Sequence, residues 1–285
     1  MGNITPHPLE SVRSFLFTPG NRPDRFEKAL ASGADAIVLD LEDAVPPAEK
    51  PIAREAVAAA WPRLRSSTVP VIIRINSPAL PVGQDDLAWL SSLSSRPAGL
   101  MIPKAESAAA LAAAHTALPG TALLPLIESA AGHAALSMIA AAPGVLRLVL
   151  GHIDFMADTG IRCSDDEAEL APLRFALTMA SRCHDLAPAV DGVTVDLKND
   201  ERLRLDTLRS LRFGFGAKLC IHPRQVAVIH QALHPTPDEI TWARRVLEAD
   251  AAAGGQAVQL DGKIVDLPLV LQARRLLARV DPERT

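Results

Sequence analysis

Eight apolar, largely β-branched runs recur along the chain, and each stops abruptly at a charged or polar residue. They begin at Arg13 (RSFLFTPG), Ala36 (AIVLDLED), Val69 (VPVIIRIN), Gly99 (GLMIPKAE), Ala122 (ALLPLIES), Arg147 (RLVLGHIDF), Ala189 (AVDGVTVDL) and Ala217 (AKLCIHP). A strand buried on both faces of a parallel sheet reads as a continuous apolar run, with polar residues collecting where it ends. The segments between them predict helices over 23–32, 48–64, 85–93, 107–118, 129–141, 166–183, 199–213 and 224–233. Ser107 is a ready N-cap for the fourth of these. Such alternation implies a parallel sheet joined by right-handed crossovers. Eight units in about 220 residues suit a closed (β/α)8 TIM barrel. An open doubly wound sheet is the alternative, but the first turn, Pro19-Gly20-Asn21-Arg22, carries no GxGxxG. The predicted fold is therefore α/β, a TIM barrel over residues 1–233 with a helical extension over 234–285. That extension predicts a helix over 238–253, a hairpin or loop over 256–268 and a last helix over 269–279.

Apolar residues make up 48% of the 285, enough for a sizeable core and too many for intrinsic disorder. A net charge of −4 argues against a nucleic-acid partner, whose footprint is a basic excess. Cys163, Cys183 and Cys220 are odd in number and match neither a metal motif nor a disulfide framework, so a reducing cytoplasm is expected. The opening MGNITPHPLE has no secretory pattern, and Pro6 breaks a myristoylation motif. The Ala-rich stretch 108–142 is interrupted by His115, Pro119, Pro125, Glu128 and His133, too often for a membrane span of roughly 20 residues. No membrane partner is expected.

In such a barrel the active site forms where the strands end. Glu128 ends the fifth run and Asp154 lies at the end of the sixth, so barrel closure brings them together. Two carboxylates do not share a site as bare anions, so a divalent cation or a shared proton is expected. Mg²⁺ suits a sparse oxygen site, because it keeps waters and takes further ligands from substrate. Capping of the next helix, or pairing with a nearby base, is the plainer reading of either acid alone. Arg74, ending the third run, offers a bidentate fork for a carboxylate or developing oxyanion. It is equally placed to pair with Asp40 or Glu42, and the two roles are compatible. Period-two alternation puts Asp40 and Glu42 on one face and Asp43 on the other. Lys104 reads better as an ion-pair partner than as a Schiff-base amine. His152 and His222 also sit at strand ends, where a hydrogen-bonded structural role is the commoner one. Arg22, Arg25, Lys28, Lys50 and Arg54 form a basic rim, which is either solvated helix ends or a phosphate contact.

With these segments in order, the chain resembles the citrate lyase beta-chain family, in the aldolase group that includes malyl-CoA and citramalyl-CoA lyases. The matching segments are RSFLFTPGNRP, IVLDLEDAV, IIRIN, MIPKAE, LLPLIES, the Gly-x-x-Asp of GHIDF, GAKLCIHPRQV and GKIVDLP, spanning Arg13 to Pro268. The resemblance implies a Mg²⁺-dependent carbon–carbon lyase acting beside a CoA thioester. It implies Glu128 and Asp154 as metal ligands and Arg74 as the substrate arginine. Lys28, Lys50, Arg54 and His222 fall on the substrate and coenzyme A side, with Asp40, Glu42, Asp43 and Lys104 supporting them. Asp266, in GKIVDLP, matches a catalytic acid on a C-terminal lid that closes over a neighbouring subunit, which implies a homo-oligomer, trimer or hexamer. His152 departs from the small or acidic residue of many relatives. The expected reaction cleaves a 3-hydroxy-3-carboxyacyl-CoA into a 2-oxo acid and acetyl-CoA. A CoA-independent aldolase, an acyl-CoA thioesterase and a citrate lyase-type subunit acting on an acyl carrier are the alternatives.

Overall fold

The eight runs close on themselves in a computed structural model that describes residues 7–254 and 256–280. The chain divides into two compact units, residues 1–229 and 230–285. In the first, eight parallel strands form a closed barrel in chain order. They are β1 (Ser14–Pro19), β2 (Ala36–Asp40), β3 (Val71–Arg74), β4 (Gly99–Ile102), β5 (Ala122–Ile127), β6 (Val149–Leu150), β7 (Val190–Asp191) and β8 (Ala217–Cys220). All residues of β2 to β8 are buried. This is why the runs read as apolar on both faces rather than alternating.

The intervening helices are α1 (Phe26–Leu30), α2 (Lys50–Leu64), α3 (Pro81–Ser92), α4 (Ala108–Ala117), α5 (Ala130–Ala134), α6 (Leu136–Ala140), α7 (His152–Thr159), α8 (Ala171–Cys183), α9 (Asp200–Arg212) and α10 (Arg224–Leu233). Ser107 caps α4 as expected, accepting from Ala109 N and Ala110 N. Several boundaries differ from the sequence reading: α1 covers only Phe26–Leu30 of the expected 23–32, and α8 starts at Ala171 rather than 166. Helix α3 starts at Pro81 rather than 85, because proline with its fixed φ suits the first helical turn. The expected helix over 129–141 breaks into α5 and α6 at Ala135 (φ −90°, ψ 3°). Helix α7 was not anticipated: β6 stops at Leu150, so what reads as the end of a strand is already helix.

Phe15, Val38, Ile72, Leu124, Val149 and Val190 fill the barrel interior. The end opposite the strand C-termini is closed by Leu9 and Val12, which join that core. Arg147, fully buried, holds them there. Its guanidinium donates to Leu9 O (3.0 Å), Val12 O (2.7 Å) and Pro188 O (2.7 Å), and lies over the Phe15 ring. Burial pushes its pKa down to about 9. Outside the barrel wall, Lys218 of β8 meets Asp191 of β7 at 3.2 Å, and Arg174 of α8 bridges Asp191 to Glu167. Burial disfavours the Asp191 charge, but Lys218 and Arg174 outweigh it and hold its pKa near 2.

The second unit contains α11 (Pro237–Ala252), an antiparallel hairpin of β9 (Val258–Leu260) and β10 (Lys263–Val265), and α12 (Leu267–Ala278). Thr236 and Glu239 form a capping box at the start of α11. Ala243, Val246, Val265, Val270 and Ala273 form its core. The hairpin was one of two readings of 256–268, and the last helix begins two residues earlier than expected.

Candidate active site

The strand C-termini surround a cleft of about 340 Å³. Glu128 directly follows β5 and is buried, with 3% of its surface exposed. Its Oε1 accepts from Lys104 N at 2.7 Å. That donor is available because Lys104 turns through φ 46°, an uncommon left-handed conformation for a residue with a side chain. Gly151 makes the room on the other side: a Cβ there would stand 2.6 Å from both Cβ and Oε2 of Glu128. Burial, then the charge of Glu42, then that of Asp154 push the Glu128 pKa up to about 8.

Asp154 lines the same cleft, but from the first turn of α7 rather than from a strand end. Gly151 N bonds Ile127 O at 3.0 Å, and the chain then coils at once. A helix N-terminus favours a carboxylate there. The sequence thus located both acids at the mouth while misassigning the element that carries one of them.

Arg74 is clamped at the end of β3. Its Nε and Nη2 donate to Asp40 Oδ1 and Oδ2, both at 2.7 Å. Nη1 lies 2.9 Å from Glu42 Oε2 and 3.5 Å from Asp43 Oδ2. The Glu42 contact is an ion pair without hydrogen-bond alignment, and Oε2 is left buried with no donor. Phe17 stacks 4.7 Å from the guanidinium carbon. Burial works against the Arg74 cation, but Asp40 more than compensates and raises its pKa. Burial raises Glu42 to about 7 despite Arg74, with Asp43 and Asp40 adding to the shift. Asp43 does not face away from Asp40, as alternation required. The strand ends at Asp40, whose carboxylate accepts from Glu42 N and Ala44 N and wraps the chain into a turn.

The remaining candidates divide. Lys50 Nζ donates to Leu41 O and Glu42 O, closing the same turn. Arg54 Nη1 holds fully buried Asp86 at 2.7 Å, and Asp86 in turn fixes Asn76 after β3. Lys28 and His222 are exposed, and His222 Nδ1 accepts from Arg224 N. The Lys104 side chain is exposed, and its backbone rather than its ammonium supports Glu128. His152 lines the cleft with its ring against Gly192, where a Cβ would fall 2.1 Å from Nδ1. Burial lowers its pKa, against the pull of Glu167 and Asp191. Asp266 belongs to the second unit, where it is exposed and caps α12 by accepting from Leu269 N. Sequence reasoning missed Gly151 as the residue that admits Glu128. The spacing of GHIDF carried that signal, since glycine precedes an acid that must approach another.

The donor set is compatible with a hard divalent cation. Two carboxylates line the cleft, Glu128 forms no ion pair among the described residues, and its Oε1 accepts one N–H. Among the described residues no group of three or more His, Cys, Asp or Glu is placed to hold a metal. A closed zinc-type site is therefore not built here, and the fit is to an ion that keeps waters and open positions. Arginine and acids gather at the C-terminal mouth of a (β/α)8 barrel, the face on which enzymes of this fold carry their active sites. Residues 13–223 match the HpcH/HpaI aldolase/citrate lyase family, and the chain belongs to it, making it an enzyme of the carbon–carbon lyase type. It is 35% identical to a citrate lyase subunit beta-like protein of Deinococcus radiodurans, over 95% of this chain and 98% of that one. It is 32% identical to a (3S)-malyl-CoA thioesterase of Cereibacter sphaeroides, over 96% of each chain. An L-malyl-CoA/beta-methylmalyl-CoA lyase of Rhodobacter capsulatus is 34% identical, over 97% of this chain and 96% of that one. Among solved structures, protein CitE from Mycobacterium tuberculosis in complex with magnesium, acetoacetate and coenzyme A superposes with a TM-score of 0.80. It is 31% identical and matches 95% of this chain and 98% of its own. Among the described residues no helix is long and apolar enough to cross a membrane.

Proposed function

We propose that the protein is a Mg²⁺-dependent lyase that cleaves a 3-hydroxy-3-carboxyacyl-CoA of the malyl or citramalyl type into a 2-oxo acid and acetyl-CoA. The observation that carries this reading is Glu128, a buried carboxylate packed beside Glu42 and Asp154 and opened to the cleft by Gly151. Glu128 and Asp154 would hold the ion. Bound there, Mg²⁺ supplies Lewis acidity toward hydroxyl and carboxylate oxygens. Arg74 is pre-oriented by Asp40 and Phe17, so its charge meets a developing oxyanion without reorganisation. The substrate hydroxyl gives its proton to solvent at the open mouth, its oxygen becomes the carbonyl of the 2-oxo acid as the bond to the thioester α-carbon breaks, and the electron pair of that bond stays on the α-carbon as the thioester enolate. Asp266 then delivers a proton to that carbon, acting as general acid in cleavage and general base in condensation.

Asp266 is exposed, with Ile264 (70% exposed), Leu267 (66%) and Leu271 (39%) exposed beside it. An exposed acid with exposed apolar residues near it in the sequence suits a lid that is buried when it closes over a site. This supports a homo-oligomer in which the lid of one subunit serves another. Lys28, exposed on α1, is free to contact the coenzyme A tail in this reading. The (3S)-malyl-CoA thioesterase likeness favours a second reading, in which the same site hydrolyses the thioester and releases free coenzyme A. Incubation of the purified protein with Mg²⁺ and malyl-, citramalyl- and citryl-CoA, with products identified by mass, separates the two. Acetyl-CoA with a 2-oxo acid supports the lyase, and free coenzyme A with an intact hydroxy diacid refutes it. Glu128→Ala is expected to abolish the Mg²⁺ dependence and the activity together.

A further inference from the structure

Helix α7 lies along the chain that leaves β5 and is tied to it at both ends. At its start, Gly151 N donates to Ile127 O (3.0 Å), and Gly151 abuts the Glu128 side chain. Near its end, Asp158 Oδ2 accepts from Ala130 N at 2.8 Å. Between the two, Phe155 meets the His133 ring edge-on, with centroids 6.3 Å apart. Ala130 opens α5 and stands two residues after Glu128. An N–H so early in a helix has no acceptor within it, and Ser129 Oγ already serves Gly132 N. The acceptor for Ala130 N therefore comes from another element, and Asp158 supplies it. Among the described residues this is the one side-chain hydrogen bond between α7 and the chain after β5. Asp154 stands between the two ties, three residues after Gly151 and four before Asp158. Residues four apart share a helix face, so the face that carries Asp154 into the cleft carries Asp158 onto α5.

We propose that Asp158 is a positioning residue for the metal site, which through Ala130 N sets the separation of Asp154 from Glu128. The proposal rests on the reading of those two acids as the Mg²⁺ ligands. Mg²⁺ takes its oxygens at about 2.0–2.1 Å in near-octahedral directions, so carboxylates on separate elements must be held to about 0.5 Å. Glu128 is fixed from the β4 side, where Lys104 N donates to its Oε1 and Ser129 Oγ donates to Glu106 Oε1 at 2.6 Å. Asp158 ties α7 to that fixed segment. Without it the helix keeps its anchor at Gly151 and pivots there, which carries Asp154 away from Glu128. Asp158 is exposed and does not line the cleft, so it acts through this hydrogen bond rather than by contact with substrate.

The test measures Mg²⁺ binding to the metal-free protein by calorimetry for wild type, Asp158→Ala and Asp158→Asn. Thermal unfolding and hydrogen exchange at the Ala130 amide accompany it. Asparagine keeps an oxygen that accepts from Ala130 N and removes the charge, whereas alanine removes both. Asp158→Ala should raise the Mg²⁺ Kd about tenfold, the lower end of the cost of losing a group that orients a metal ligand. Its Ala130 amide should exchange faster, while Tm falls by no more than about 4 °C, as for one exposed hydrogen bond. Asp158→Asn should bind Mg²⁺ with a Kd close to wild type and protect the amide. A wild-type Kd in Asp158→Ala overturns the proposal and leaves the metal site standing. Asparagine that behaves like alanine also overturns it, because the carboxylate would then act by charge at a distance. Wild-type protein that binds no Mg²⁺ overturns the metal site and the role of Asp158 together.

Discussion

Replacing Gly151 by alanine tests the metal site through a residue that has no ligating atom. The added methyl would sit 2.6 Å from Glu128 Cβ and 2.6 Å from Glu128 Oε2, where carbon contacts normally begin near 3.4 Å. The carboxylate and the β5 backbone that carries it must retreat by about 0.8 Å. Retreat strains the 2.7 Å bond from Lys104 N, a charge-assisted contact worth about 1.5–3 kcal/mol. Overpacking at so close a contact adds a cost of about 1–3 kcal/mol. The alanine enzyme is expected to lose a few kcal/mol of stability. Its turnover should fall about a hundredfold, the usual cost of an ångström's misplacement at a catalytic site. Two measurements separate these effects: thermal unfolding with and without Mg²⁺, and the Mg²⁺ concentration that half-saturates activity. Wild-type stability gain from Mg²⁺, together with a wild-type half-saturation point, would refute the reasoning, because the acid displaced by the methyl would then not be the ligand.

Three further outcomes follow from the same contacts. The Glu128 and Glu42 pKa values are raised to about 8 and about 7, so their stabilising contribution is complete below the ordinary carboxylate range near 4.5 and is lost as pH rises through 7 and 8. Without divalent cations the melting temperature should fall between pH 5 and 8, and below pH 8 the apparent Mg²⁺ affinity should weaken by about tenfold per unit; a pH-independent Mg²⁺ affinity across this range contradicts the assignment. Asp266→Asn keeps a good N-cap on α12, so the unit should fold while turnover collapses at unchanged KM, and wild-type turnover would remove Asp266 from the chemistry. Arg147→Ala strips the donor from three buried carbonyls at about 1–3 kcal/mol each, for a loss on the order of 4 kcal/mol after relaxation. An unchanged midpoint in chemical denaturation would show that Leu9 and Val12 do not depend on it.

The eight runs made the barrel legible because burial on both faces of each strand leaves one unmistakable pattern. The positions of Arg74 and Glu128 were legible for a related reason: a charged side chain at the end of an apolar run has only the barrel mouth to occupy. Period-two reasoning failed at Asp43, since it applies only while the strand lasts, and Asp40 ends the strand by binding the amides that follow. The strand-end placement of Asp154 failed because β6 lasts only Val149–Leu150 and helix α7 takes over from His152. Arg54 and Lys50 looked alike as basic residues on one helix, yet one holds a buried acid and the other closes a turn through carbonyl oxygens.

The amino-acid sequence by itself determined the fold class, the face that does chemistry and the residues that gather there, because these follow from which side chains avoid water and where polar ones interrupt them. Tertiary structure alone decided how the charges are spent. It buried Glu128 in the field of Glu42 and Asp154, and it locked Arg74 between Asp40 and Phe17. Those outcomes depend on distances of a few ångströms between residues far apart in the chain. Electrostatic and desolvation energies at that range are fixed by three-dimensional neighbours, which linear spacing does not record.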